Sequence, residues 1–157
     1  MRKMSVLVFM ALLTAGCSSI DCPLNSIISA KYMVHSDTDT LHDTLSVVAL
    51  RLDGTATLLN KDVNITNFSI PVSYGNAFDR MQLMLTDKNH VTLTDTVTLY
   101  KTDTPHFESV DCSPAFFHTI TNVEWTRNAI DTIIISKPSV TYDTRDENIH
   151  IHFKSGH

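Results

Sequence analysis

The sequence predicts an all-β domain, an antiparallel two-sheet β-sandwich, and three observations carry that reading. Thr, Val and Ile abound while the chain has only 4 Gly and 18% charged residues, a composition that suits strands better than helices. Period-two alternation of apolar and polar residues recurs past residue 17, and no stretch there keeps the i, i+3, i+4, i+7 spacing of an amphipathic helix. Turn residues punctuate the chain at short intervals, which divides it into about ten short strands, the signature of a sandwich. The layered architecture is immunoglobulin-like by analogy. The order Cys22, Cys112, Trp125 is not the Cys…Trp…Cys order of a true immunoglobulin domain.

Taken from the N-terminus, the first segment is an address. Arg2 and Lys3 precede the apolar run Val6-Leu7-Val8-Phe9-Met10-Ala11-Leu12-Leu13, which is too short to cross ~30 Å of hydrocarbon as a helix. Ala15-Gly16-Cys17 then resembles a bacterial lipobox, with Thr14 departing from the usual Leu. The expectation is a signal peptide over residues 1–16, cleaved before Cys17. That cysteine becomes the lipidated first residue of a tether over 17–24, followed by one domain over 25–157. Ser18, where an inner-membrane retention signal would carry Asp, favours the outer membrane; the side on which the domain faces stays open.

Within that domain, strands are expected at 27–35, 44–52, 55–60, 63–71, 80–86, 91–101, 106–111, 116–126, 130–136 and 148–154. Asp53-Gly54 ends the second, Tyr74-Gly75-Asn76 the fourth and Asp87-Lys88-Asn89 the fifth. Ser113-Pro114, Arg127-Asn128 and Lys137-Pro138 end the seventh, eighth and ninth. The clearest alternations are Met81, Leu83, Leu85 against Arg80, Gln82, Met84, and Ile149, Ile151, Phe153 against His150, His152, Lys154. The apolar parity switches between Val63/Ile65 and Phe68/Ile70, which predicts a bulge near Thr66-Asn67. Asp95 falls in phase with Val91, Leu93, Val97 and Leu99; a buried unpaired carboxylate is expensive, so a strand break is expected there.

Charge and cysteines narrow the function classes. Removing residues 1–16 takes the net charge from −5 to −7. An acidic domain without a Lys/Arg cluster is a poor candidate for nucleic acid or for anionic headgroups. Apart from Cys17, the chain carries Cys22 and Cys112, so in an oxidising compartment a Cys22–Cys112 disulfide is expected.

Several segments together carry a resemblance: Asp21-Cys22-Pro23-Leu24-Asn25, Thr57-Leu58-Leu59-Asn60, Ile70-Pro71-Val72-Ser73-Tyr74, Thr104-Pro105-His106-Phe107 with Val110-Asp111-Cys112, Phe117-His118-Thr119-Ile120 and Glu147-Asn148-Ile149. Over about residues 20–153 the chain resembles a family of small bacterial lipoproteins known as a domain of unknown function. The resemblance implies the lipoprotein address and the use of both cysteines, and it implies no activity.

Motifs that would carry chemistry are few. His150-x-His152 places two imidazoles on one side of a strand, where they could share an ion, although solvent-facing histidines explain the pattern as well. Asp37-Thr38-Asp39-Thr40-Leu41-His42-Asp43 spaces three carboxylates but lacks the glycine and distal glutamate of an EF-hand loop. Asp143-Thr144-Arg145-Asp146-Glu147 has a similar acidic look, and both segments read as solvated turns. Gly-x-Ser-x-Gly and His-Glu-x-x-His are absent. No catalytic residue, metal or cofactor is therefore expected. Asp-Thr-apolar triplets resemble a short bacterial O-glycosylation sequon, with Thr40, Thr44, Thr96 and Thr132 as acceptors, while Asp at a turn and Thr on a solvent face explain them equally. The expected function is a non-enzymatic, lipid-anchored module that binds an envelope protein or glycan. A hydrolase of envelope or dietary glycans and a structural or adhesive subunit are the alternatives.

Overall fold

A computed structural model describes residues 22, 27–37 and 40–155. The signal peptide over 1–16, Cys17, and the Thr38-Asp39 part of the acidic loop lie outside the described residues. Among the described residues, ten strands follow in order: β1 (Ser29–His35), β2 (Thr44–Arg51), β3 (Gly54–Asp62), β4 (Asn67–Pro71), β5 (Phe78–Thr86), β6 (Thr92–His106), β7 (Ala115–Trp125), β8 (Ile130–Ile135), β9 (Ser139–Val140) and β10 (Ile149–Phe153). They form a four-stranded sheet in the order β4-β1-β10-β8 and a six-stranded sheet in the order β3-β2-β5-β6-β7-β9. Every pairing is antiparallel except β1 with β10. The sandwich matches the expectation. The strand order differs from the ABED/CFG arrangement of immunoglobulin domains, since β1 lies between β4 and β10 rather than beside β2.

The alternation explains the core. Ala30, Tyr32 and Val34 of β1, Phe68 and Ile70 of β4, Ile133 of β8, and Ile149, Ile151 and Phe153 of β10 are buried on one sheet. Leu45 and Val47, then Met81, Leu83 and Leu85, then Val97 and Leu99 are buried on the other. These residues belong to one continuous apolar cluster between the layers, each large side chain contributing roughly 1.5–3 kcal/mol on burial. Tyr32 stacks on Phe68 with centroids 5.0 Å apart. Burial and then the nearby Asp79 carboxylate push the Tyr32 phenol well above its ordinary range.

Three expectations need correction. The segment 63–71 is not one bulged strand: Asn64 takes a left-handed φ of 55°, Ile65 makes an isolated bridge to Leu41, and β4 starts at Asn67. The segment 106–111 is not a strand, because β6 continues through His106 and the chain then loops over 107–114. Beyond Tyr100 the register pairs β6 with β7 and no longer with β5, so Pro105 sits where its missing N–H is tolerated. Finally, Asp95 does not break its strand; β6 runs through it and buries it.

Candidate functional site

Asp95 is affordable inside the sandwich because the turn between β7 and β8 brings donors to it. Its Oδ1 accepts from Thr126 Oγ1 at 2.7 Å and from the Asn128 N–H at 2.8 Å, and its Oδ2 accepts from the N–H groups of Ala129 at 2.8 Å and Ile130 at 2.9 Å. The Asn128 side-chain amide donates back to the Thr94 carbonyl at 2.7 Å. A carboxylate with four donors escapes the penalty of an unpaired buried charge. The arrangement fastens the β7–β8 turn to β6, and it also gives the Asp of the Asp95-Thr96 triplet a structural task.

A second polar cluster lies where β6 and β7 project past β5. Lys101 and His118 have side chains 0% and 1% exposed, and both reach Asp103, which is 16% exposed. Asp103 Oδ1 accepts from Lys101 Nζ at 2.7 Å and lies 2.8 Å from His118 Nδ1, while its Oδ2 accepts from the Gly75 N–H at 2.8 Å. Burial alone would raise the Asp103 carboxyl, but the donors Lys101, His118 and Gly75 outweigh it and hold the group below the usual carboxylate range. Lys101 also donates to the Asn76 carbonyl at 2.9 Å. The β4–β5 connection is thus pinned at Gly75, whose φ of 80° suits glycine. Ser73 is held in turn by Asp79 through its N–H and its hydroxyl. A His–Asp pair would orient a base for nucleophilic catalysis, but here Lys101 and His118 are both spent on Asp103 inside the protein, and the Ser73 hydroxyl serves Asp79.

On the four-stranded sheet the parallel pairing of β1 with β10 sets His35 beside His152, with His150 one step along. The His35 ring stacks on both, at centroid distances of 5.0 Å to His150 and 4.6 Å to His152. His35 Nε2 lies 3.0 Å from His150 Nδ1, a hydrogen bond that needs at least one of the two rings to supply a lone pair. His150 Nε2 stands 3.6 Å from the Glu147 carboxylate. Burial, followed by repulsion from His35 and His150, lowers the proton affinity of His152, with Asp131 opposing. The sequence singled out His150 and His152; His35 was hidden because its partner is 115 residues away. Among the described residues, no group of three His, Cys, Asp or Glu side chains is arranged to hold a metal ion.

The remaining sequence candidates fall as follows. Cys22 and Cys112 form a disulfide with Cα atoms 5.5 Å apart, closing a separation of 90 residues. Thr44, Thr96 and Thr132 lie on strands and Thr40 in the loop before β2, all four half-buried. Asp143 is gripped by Arg145, whose side-chain and backbone hydrogen bonds hold its carboxyl well below the usual range. Asn148, overlooked as a site, is a buried connector: its Oδ1 accepts from the Lys31 N–H at 2.9 Å, and its Nδ2 donates to the carbonyls of Lys137 at 3.0 Å and Ser139 at 2.9 Å. It ties β1 of one sheet to β9 of the other.

The disulfide end of the molecule also carries apolar surface. Phe117 stacks on His106 at 4.2 Å and meets Tyr142 edge-on at 5.1 Å. Tyr74 covers Phe116 at 4.8 Å. In the loop over 107–114, Phe107 is 61% and Val110 98% exposed.

Searches of curated proteins and of solved structures found no match to the chain. One family match spans residues 44–153, from the start of β2 to the end of β10, and so includes Asp95, the Lys101–Asp103–His118 cluster, Cys112 and Asn148 while leaving β1 and Cys22 outside. With that match covering most of its length, the chain belongs to the family of unknown function DUF6452.

Proposed function

We propose that the protein is a lipid-anchored lipoprotein of the bacterial cell envelope, held in the outer membrane through Cys17, whose sandwich binds a protein or glycan partner without catalysing a reaction. The observation that carries this reading is the Cys22–Cys112 bond, a feature of proteins that mature in oxidising compartments, five residues past the cysteine of a lipobox-like segment. A non-catalytic role is supported by the fate of the polar side chains best suited to chemistry. Asp95, Lys101, Asp103 and His118 are consumed in internal hydrogen bonds that hold turns in place. O-glycosylation at Thr40, Thr44, Thr96 or Thr132 remains part of the proposal, with Thr132 the better acceptor than Thr96 because Asp131 is exposed whereas Asp95 is buried.

The test is Cys17→Ala in the full chain expressed in a bacterial host. The parent should fractionate with membranes and carry the mass of acyl groups at its N-terminus, and the variant should accumulate as uncleaved precursor or appear in the soluble envelope fraction. Equal mass and equal partition of the two would overturn the anchor. Cross-linking followed by affinity capture from membranes then looks for the partner, and hydrolysis of envelope glycans by the purified protein would remove the non-enzymatic reading.

A further inference from the structure

We infer that the disulfide-bearing end of the sandwich, the loop over 107–114 with Phe107 and Val110, rests on the lipid surface and sets the domain upright on the membrane. The inference builds on the lipid anchor proposed above and adds an orientation to it.

The argument is one of reach. Cys22 follows Cys17 by five positions, so the two Cα atoms can stand at most about 18 Å apart even in a fully extended chain. Cys22 is bonded to Cys112 across 5.5 Å between Cα atoms. The anchor is therefore leashed to this loop and not to a distant part of the domain. β6 gives the scale for the rest: its 15 residues span roughly 45 Å at the usual rise of an extended strand. Its His106 end leads directly into the loop, and its Thr92 end follows the β5–β6 turn, where Asp87 accepts from the Asn89 and Val91 N–H groups. A leash of this length holds the His106 end at the bilayer and leaves the β5–β6 turn free to stand away from it.

The chemistry of the leashed end fits the role. Phe107 and Val110 expose apolar side chains from a loop whose backbone is fixed at Cys112, so little ordering is needed to seat them at the headgroup boundary. Tyr74, packed on Phe116, adds an exposed amphipathic ring at the same end of the β6–β7 hairpin. Glu108 and Asp111 flank these residues, which directs the contact to zwitterionic rather than anionic lipid. Exposed apolar residues elsewhere, such as Val91 at 58%, lack a leash and serve as the natural control.

The experiment places tryptophan reporters in the full-length, membrane-extracted protein reconstituted into phosphatidylcholine vesicles, with and without bromine on the acyl chains. Phe107→Trp and Val110→Trp are compared with Val91→Trp, Trp125 being common to all. Quenching by brominated lipid is expected for the first two and not for Val91→Trp. Equal quenching of all three reporters, or quenching of Val91→Trp alone, overturns the orientation while leaving the anchor intact. No quenching of any reporter in protein that is acylated and floats with the vesicles overturns it as well. Protein that lacks acyl mass and does not float refutes the anchor, and the orientation falls with it.

Discussion

Asp95→Asn is the substitution whose cost can be worked most directly from the hydrogen bonds. The carboxylate accepts four donors, two on each oxygen. An amide retains one oxygen, and its best orientation turns that oxygen to the buried Ala129 and Ile130 N–H groups. The amide nitrogen then donates to Thr126 Oγ1, which already accepts from the Thr96 N–H at 2.9 Å and has a second lone pair available. What is lost is the acceptor of both the Asn128 N–H and the Thr126 hydroxyl, together with the charge that strengthened the bonds that remain. An orphaned buried donor costs about 1–3 kcal/mol, and hydrogen bonds to a charged group exceed neutral ones by about 1 kcal/mol each; Thr126 and Asn128 are exposed residues whose bonds to Asp95 are part-buried, so their orphaned donors cost at the low end of that range. The relief from not burying a charge offsets part of this, so the variant should lose about 2–4 kcal/mol. For a domain of this size that corresponds to a fall in Tm of about 5–15 °C. Thermal and urea unfolding of the oxidised protein, followed by circular dichroism, measures it, with the exposed Asp131→Asn expected within about 0.5 kcal/mol of the parent. An Asp95→Asn protein as stable as the Asp131→Asn control would refute the claim that this carboxylate secures the β7–β8 turn.

Two further outcomes concern the histidines and the disulfide. Because the folded state binds a proton at His152 less readily than the unfolded chain does, the unfolded state takes up more protons on acidification. That part of the stability is complete above the unfolded pKa of about 6.5 and is lost as the pH falls through the lower, folded value. Stability measured from pH 8 to pH 5 should decline, and His152→Gln should flatten the decline; an unchanged slope in the variant would remove the stacked imidazoles as its source. Reduction of Cys22–Cys112 should lower stability by about 2–4 kcal/mol. Maleimide labelling of the denatured, unreduced protein should find neither Cys22 nor Cys112 free, and labelling of both would eliminate the bridge.

The sequence was most readable where one residue's neighbours along the chain decide its environment. Met81, Leu83 and Leu85 or Ile149, Ile151 and Phe153 declare their buried face by alternation, and the Asp87-Lys88-Asn89 turn is made by its own side chains. The composition of those segments settled the β class and the layered sandwich. What stayed hidden depends on residues distant in sequence. The burial of Asp95 is tolerated only because donors arrive from 31 to 35 residues later. The reach of β6 to His106 depends on β7 continuing alongside it after β5 has ended. β9, two residues long, has too few positions to show any period. The polar clusters were missed for the same reason: Lys101 and His118 look like solvent-facing residues until Asp103 and the β4–β5 connection close over them.

The parallel pairing of β1 with β10 also imposes an order on events as the chain is delivered N-terminus first to the place where it folds. Delivery in that direction brings β1 first among the strands and β10 last, yet these two lie side by side at the middle of the four-stranded sheet, with β8 joined to β1 and β4 only through β10. The six-stranded sheet is different, since β2, β3, β5, β6 and β7 can assemble by successive antiparallel neighbours as they emerge. Half of the sandwich can therefore form while the other half waits with its apolar residues uncovered, because non-local pairings bring no reward until both partners exist. The incomplete chain spends that interval with Ala30, Tyr32 and Val34 lacking their final neighbours. The last strand to arrive thus acts as the keystone, and a chain that ends before Ile149 leaves β8 unjoined to β1 and β4.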